Sequence, residues 1–257
     1  MKPEDIKSIG IMGGGVMGGG IAQTAILASY KVIVRDLTNG ILAKMENTIM
    51  DGRFGLKGGV ARGKHTQEQA DQALANLSVT TKVEDLKDCD FIIEAIGGAS
   101  VKEIEDKPLK LKIFAELDRI VKKDAIFASN TSRFTITDLA EVVERKNLFI
   151  GMHWFSPANI MKLVELTYTP DTSEEVIQVL EAICQRLDKT SIRVKDVSGD
   201  TGFIGNRVMS AARREAQKIV EEGIATVEDV NTVMTLGFNW PAGPLSTGGP
   251  GARSGWQ

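Results

Sequence analysis

Two residues in this chain have the types and neighbours that moving a proton requires. His153 is one of two histidines among 257 residues and ends the apolar run Phe149-Ile150-Gly151-Met152. Glu165 sits among aliphatics in Leu163-Val164-Glu165-Leu166, a costly place for an unpaired carboxylate. A carboxylate beside an imidazole fixes its tautomer and raises its basicity, so that the other ring nitrogen can take a hydroxyl proton. Plainer readings exist for both residues. His153 can be a satisfied core histidine, and Glu165 can pair with Lys162. The second histidine, His65, lies in a polar stretch.

A glycine-rich turn supplies different chemistry. Gly13-Gly14-Gly15-Val16-Met17-Gly18 follows one apolar run and opens a helix-like one. In such a turn Gly13 permits the tight bend, Gly15 lets a pyrophosphate approach the backbone, and Gly18 allows close helix–strand packing. The helix N-terminus offers N–H groups and a positive dipole end to the phosphate. A purely structural turn is the alternative, and the context argues against it. Asp36 closes the next strand-like run, where a carboxylate can bond both hydroxyls of an adenosine ribose and repel a 2′-phosphate. NAD is therefore expected over NADP, with Arg35 as the one neighbour suited to a 2′-phosphate. Ser129-Asn130-Thr131-Ser132 is either a polar turn capping a helix or a loop presenting hydroxyls to the cofactor crevice. Asn206 is either a helix cap or a substrate-positioning amide.

These residues need a scaffold, and the apolar pattern supplies one. Strand-like runs at 8–12, 31–35, 91–93, 125–128 and 149–152 alternate with helix-like runs at 18–28, 40–54 and 109–121. That alternation predicts βαβ units and a parallel sheet covered on both faces. The fold class expected is α/β, a Rossmann-type doubly wound sheet, whose ligands sit outside the carboxyl ends of the strands. Residues 55–75 break the rhythm with Gly55, Gly58, Gly59 and Gly63 among Arg53, Lys57, Arg62 and Lys64. The reading is a helical hairpin at about 40–76 projecting from the sheet. After Lys195 the strand pattern stops. Residues 198–202 read as a loop or switch segment. Helices follow at 206–222 and 226–236, the second opened by Thr226 with Asp229 three residues on. The expected division is 1–198 for the sheet domain and 199–257 for a small all-helical domain.

Composition narrows the classes further. Apolar residues are 42% and charged residues 25%, with a net charge of −3; such a chain has no overall field drawing it to nucleic acid or an anionic membrane. No apolar run approaches the roughly 18 residues of a membrane span. Cys89 and Cys184 stand alone, too few for a disulfide framework or a metal cluster and in keeping with a reducing cytoplasm. No metal, membrane or nucleic-acid partner is expected.

Several ordered motifs together resemble the 3-hydroxyacyl-CoA dehydrogenase family of fatty-acid β-oxidation. They are the glycine turn with Gly18-Gly19-Gly20-Ile21-Ala22-Gln23, Ala128-Ser129-Asn130-Thr131-Ser132, Gly151-Met152-His153-Trp154-Phe155, Met161-Lys162-Leu163-Val164-Glu165 and Gly202-Phe203-Ile204-Gly205-Asn206-Arg207. The resemblance runs from Ile9 to about Pro244. It implies oxidation of a 3-hydroxyacyl-CoA by NAD. By the same resemblance His153 is the base, Glu165 its orienting partner, Ser132 a hydrogen-bond partner of the reacting oxygen and Asn206 a substrate holder. It places Glu105 and Lys110 along the cofactor, with the glycine turn (Val16 and Met17 included), Asp36, Ser132 and Ser156.

The basic residues 53–64 can meet the phosphates of coenzyme A, or form a solvated face. Three departures accompany the resemblance. Residues 97–103 read as an insertion, and Ser156 stands where the family has Asn. The helical domain is shortened at Gly248-Gly249-Pro250-Gly251, which leaves open the homodimer that the family builds through that domain. The competing functions are a dehydrogenase of free hydroxy acids and a non-catalytic NAD-binding protein.

Overall fold

A computed structural model describes residues 1–97, 105–197 and 203–246. It divides into two compact units, Met1–Asp200 and Thr201–Gln257. The expected 97–103 insertion beyond Gly97, the 198–202 switch segment with the domain boundary, and the glycine-rich end at 248–251 lie outside the described residues.

The first unit begins with β1 (Ser8–Met12), α1 (Val16–Leu27) and β2 (Lys31–Arg35). Three helices follow, α2 (Asn39–Asp51), α3 (Leu56–Ala61) and α4 (Gln67–Ala75), and lead to β3 (Leu77–Thr80). Next come β4 (Phe91–Glu94), α5 (Lys107–Ile120), β5 (Ile126–Ser129), α6 (Ile136–Ala140) and β6 (Phe149–Trp154). The unit closes with β7 (Leu163–Tyr168), α7 (Glu174–Arg186) and β8 (Thr190–Lys195). The eight strands form one sheet in the order β3-β2-β1-β4-β5-β6-β7-β8. Every pairing is parallel except β6 with β7. The first six strands thus follow the doubly wound order that reverses between β1 and β4.

Local chemistry explains the element boundaries. Thr38, Thr66, Asp106, Thr135 and Ser173 each accept a first-turn N–H and start α2, α4, α5, α6 and α7, which satisfies donors that a helix start leaves unpaired. Central strands are apolar on both faces because helices cover both. The sheet's share of the core includes Ile9, Ile11, Val32, Val34, Phe91, Ile93, Ile126, Ala128, Ile150 and Met152.

The segment at 40–76 differs from the expected projecting hairpin. It is three helices, and the last, α4, lies back on α1 with Ala70 and Ala73 buried. Two small residues at that spacing let the helices approach. The amide of Gln23 on α1 also donates to the Phe54 carbonyl at 2.8 Å, and the Asn159 amide donates to Gln23 Oε1 at 3.0 Å.

The second unit contains α8 (Ile204–Glu221), α9 (Val227–Thr232) and a π-helical turn over Val233–Gly237. Thr226 and Asp229 form the capping box that their spacing predicts.

Candidate active site

The carboxyl ends of β1, β2, β4, β5 and β6 share one edge of the sheet, because these strands are parallel. At β1 the chain turns through Gly13, whose φ of +109° is a left-handed conformation, and a side chain there would strike the Ala95 carbonyl. A Cβ on Gly18 would lie 1.8 Å from the Gly13 carbonyl oxygen, so the turn closes only with glycine at both places. Gly15 is different: a Cβ there meets nothing within 4 Å. It is the N-cap of α1, no side chain caps that helix, and its first turn holds no acidic residue. An open approach to an uncapped helix N-terminus is what a phosphate needs, so the turn fits a dinucleotide. Val16 and Met17 form the first turn behind it.

Asp36, just past β2, accepts from Gly14 N and Leu37 N, each at 2.6 Å. A carboxylate offers about four acceptor positions. Two remain for ribose hydroxyls after the backbone bonds are made.

His153 and Glu165 are brought together by sheet register. Antiparallel β6 and β7 place them directly opposite one another, where side chains share a face. His153 Nδ1 lies 2.6 Å from Glu165 Oε2. Both are buried, at 5% and 0% exposure. Lys162, the alternative partner of Glu165, instead pairs with Asp188. The His153 ring also stands 4.9 Å from that of Phe155.

At the ends of β4 and β5 lies a second cluster, and sequence reasoning found only half of it. Glu94, the last residue of β4, is fully buried. It accepts from Lys110 Nζ at 2.5 Å, Ser129 Oγ at 2.6 Å and Ile96 N at 2.7 Å. Lys110 lies 3.6 Å from Glu105 as well. Glu105 in turn accepts from Ser132 N at 2.7 Å, Ser132 Oγ at 2.6 Å and Thr131 Oγ1 at 2.5 Å. The expected neighbours Glu105, Lys110 and Ser132 are thus assembled, with Glu94 beneath them. A charged residue between Phe91-Ile92-Ile93 and Ala95-Ile96 was the available signal for Glu94, of the same kind that marked Glu165.

Two expectations change in detail. The single proton of the Ser132 hydroxyl points at Glu105, so this serine meets a further group through its lone pairs; donation to a reacting oxygen would require the hydroxyl to turn. The 129–132 segment is also more than a helix cap. Asn130 Oδ1 accepts from Trp154 N at 2.9 Å, tying the end of β5 to the end of β6.

The remaining predicted residues are scattered. Asn206 falls in the first turn of α8, whose N-cap is Phe203, so Asn206 does not cap it. Ser156 follows β6 and is exposed. Lys57 is paired with Asp51 at 2.6 Å, the Arg53 guanidinium covers the Phe54 ring, and Lys57, Arg62 and Lys64 are exposed. These four lie on α3 and the loops flanking it, not on one helix face.

A nucleotide-binding doubly wound sheet with a buried imidazole–carboxylate pair at its ligand edge defines a dehydrogenase class. Comparison with known proteins makes it specific. The NAD-binding domain of 3-hydroxyacyl-CoA dehydrogenase matches residues 8–197, and that family's C-terminal domain matches residues 202–248. The chain belongs to the 3-hydroxyacyl-CoA dehydrogenase family, and its cofactor is NAD. It is 36% identical to the mitochondrial hydroxyacyl-coenzyme A dehydrogenase of Rattus norvegicus, over 93% of this chain and 74% of the rat protein. It is also 36% identical to a probable 3-hydroxybutyryl-CoA dehydrogenase of Bacillus subtilis, over 94% of this chain and 80% of that one. Among solved structures, the (S)-3-hydroxybutyryl-CoA dehydrogenase of Ralstonia eutropha superposes with a TM-score of 0.85 at 36% identity, covering 95% of this chain and 81% of that one. Among the described residues no helix is long and apolar enough to cross a membrane.

Proposed function

We propose that this protein oxidises the 3-hydroxyl of a 3-hydroxyacyl-CoA to the 3-oxo compound, with His153 as the base. The observation that carries the reading is the buried His153–Glu165 pair at the ligand edge of an NAD-binding sheet. Glu165 holds Nδ1 and thereby assigns proton transfer to Nε2. His153 takes the hydroxyl proton, and the same imidazole then faces the charge that develops on oxygen. The chemistry that bound NAD would supply is a hydride acceptor for C3.

The other residues bind and orient. The first turn of α1 would hold the pyrophosphate, and Asp36 would hold the ribose. Glu105 and Ser132 line the crevice between β4 and β6, with Ser156 beyond His153. Asn206 holds the substrate. Arg53, Lys57, Arg62 and Lys64 attract the phosphates of coenzyme A, acting as a diffuse field because they share no helix face. Two buried cysteines, both pushed up to about 12 chiefly by burial, are inert thiols that suit a reducing compartment such as the cytoplasm.

The test is NADH formation at 340 nm (a wavelength at which only the reduced cofactor absorbs) with 3-hydroxyacyl-CoAs of several chain lengths, set against free 3-hydroxy acids. Turnover confined to the CoA esters supports the proposal. Equal or better turnover of the free acids would overturn it.

A further inference from the structure

Glu94, Lys110 and Glu105 form a buried trio with two carboxylates and one ammonium. Side-chain exposures are 0%, 2% and 7%. Lys110 sits hard against Glu94 and 3.6 Å from Glu105. Among the described residues, the other close groups around the two carboxylates are donors: Ile96 N, Ser129 Oγ, Thr131 Oγ1, Ser132 N and Ser132 Oγ. Counted formally, two carboxylates and one ammonium leave the trio one negative charge in excess among the described residues. A buried charge without its counter-charge is costly. A fold needing only stability would be served by Lys110 with one carboxylate.

The position of the trio suggests what completes it. It lies at the carboxyl ends of β4 and β5, with Asp36 and the glycine turn on one side and His153 on the other. A dinucleotide held by Asp36 and the α1 N-terminus and reaching His153 would bring its redox-active ring toward this stretch. That ring is cationic when oxidised and neutral when reduced. We propose that Glu94 is a positioning residue that holds Lys110 beside Glu105 and keeps one net negative charge near the nicotinamide site, so that binding of NAD+ is strengthened relative to that of NADH. The proposal rests on the dehydrogenase reading above. It adds to that reading the residue and the charge that shift the balance between the two forms of the cofactor.

The experiment measures dissociation constants for NAD+ and NADH separately by calorimetry, with no substrate present. In Glu94→Gln the trio becomes neutral. The NAD+ constant should rise about tenfold more than the NADH constant, the order expected when a unit charge acts across several ångströms of protein. In the double variant Glu94→Gln/Lys110→Met the net charge returns to −1, and the NAD+/NADH ratio should return to near that of the native chain. A merely structural Glu94 would weaken both forms alike, and the double variant would be worse than the single one. Either result overturns the proposal. Should Glu94→Gln fail to fold by circular dichroism, Glu105→Gln neutralises the same trio and must give the same shift in ratio; an unchanged ratio there refutes the charge argument. If the native chain bound neither cofactor form, the dehydrogenase reading itself would fail, an outcome separable from an unaltered ratio.

Discussion

Glu165 and Glu94 are both fully buried carboxylates on strands of one sheet, and each lies opposite a polar partner across a strand pair. They differ in what balances them. Glu165 faces one imidazole, a group that gains and loses a proton near neutral pH, so the charge of that pair changes during a proton transfer. Glu94 faces an ammonium that it shares with a second carboxylate, and none of these groups takes part in the proton transfer proposed for His153. The contrast teaches that burial of an acid does not by itself assign a role. The partner decides whether the acid serves a moving proton or a standing field.

The widest separation of the two should come from His153. His153→Gln keeps a hydrogen-bonding side chain of similar reach but offers no basic nitrogen. Turnover should fall by roughly 10²–10⁴, the usual range for loss of a general base, while calorimetric NAD binding stays within about twofold. Retained turnover would remove the proton-transfer role and leave His153 a core residue. Glu165→Gln should have the next largest effect. It keeps an acceptor for Nδ1 yet removes the charge, so turnover should drop by less than in His153→Gln, with NAD affinity again preserved. A deuterium at C3 of the substrate shows whether hydride transfer limits the rate, and hence whether the loss lies in the chemical step. Equal loss of NAD binding in Glu165→Gln would erase the distinction drawn between the two acids.

The sequence reveals these two sites unequally. His153 and Glu165 both stand out because each interrupts an apolar run, and chemistry suggests pairing them. Their actual contact depends on β7 running antiparallel to β6 in a register that sets 153 opposite 165, a tertiary outcome with no local signature. Glu94 interrupts an apolar run as well, but at a strand end, where a charged residue ordinarily reaches solvent. Only the packing of α5, which brings Lys110 over the end of β4, makes it a buried group. The central strands are plain from their β-branched runs, whereas β3, Leu77-Ser78-Val79-Thr80, is a short half-exposed edge strand whose mixed pattern does not announce itself. The chain at about 40–76 reads as a projecting hairpin because glycines and charged residues at 53–64 interrupt its apolar pattern. It folds down because Ala70 and Ala73 give α4 a small-residue face for α1.

Asp36 is a further acid at the same edge, half-buried where Glu94 and Glu165 are dry. Asp36→Ala should weaken NAD binding by about 1.5–3 kcal/mol, the worth of hydrogen bonds to a charged group, and should narrow the preference over NADP. Some of that loss is the Gly14 N–H bond, so Asp36→Asn, which keeps an acceptor oxygen, should recover part of the affinity without recovering the discrimination. A native chain that used NADP as well as NAD would defeat this assignment. Smaller effects belong to the exposed charges. Neutralising Arg53, Lys57, Arg62 and Lys64 together should raise KM for a CoA ester several-fold and leave NAD affinity unchanged. Added salt should reproduce much of that rise in the native chain, because exposed charges are screened within about 10 Å at 0.1 M. A KM unmoved by either treatment would return these residues to the role of a solvated face.

The smallest effect separates two buried lysines, one bonded to a carboxylate and one bonded to backbone carbonyls. Lys110 has Glu94 and Glu105. Lys189, 6% exposed, donates to the carbonyls of Ala158 at 2.8 Å and Met161 at 2.7 Å and stands over the Trp154 ring. It latches the 155–162 loop that joins His153's strand to Glu165's. Burial holds Lys189 down at about 8 from an ordinary 10.5, with Lys162 adding to the depression and Asp188 opposing it. The folded chain therefore releases this proton near pH 8, whereas the unfolded chain keeps it until about 10.4. Between those values the unfolded state binds more protons, so this group makes the fold more stable as pH rises. Urea midpoints for the native chain and Lys189→Met at pH 7.5 and pH 9.5 isolate the contribution. The stability advantage of the native chain over the variant should be larger at pH 9.5. An advantage that stays constant across that range would mean that the two carbonyls and the indole face hold the ammonium as well as carboxylates do, and the contrast with Lys110 would reduce to geometry.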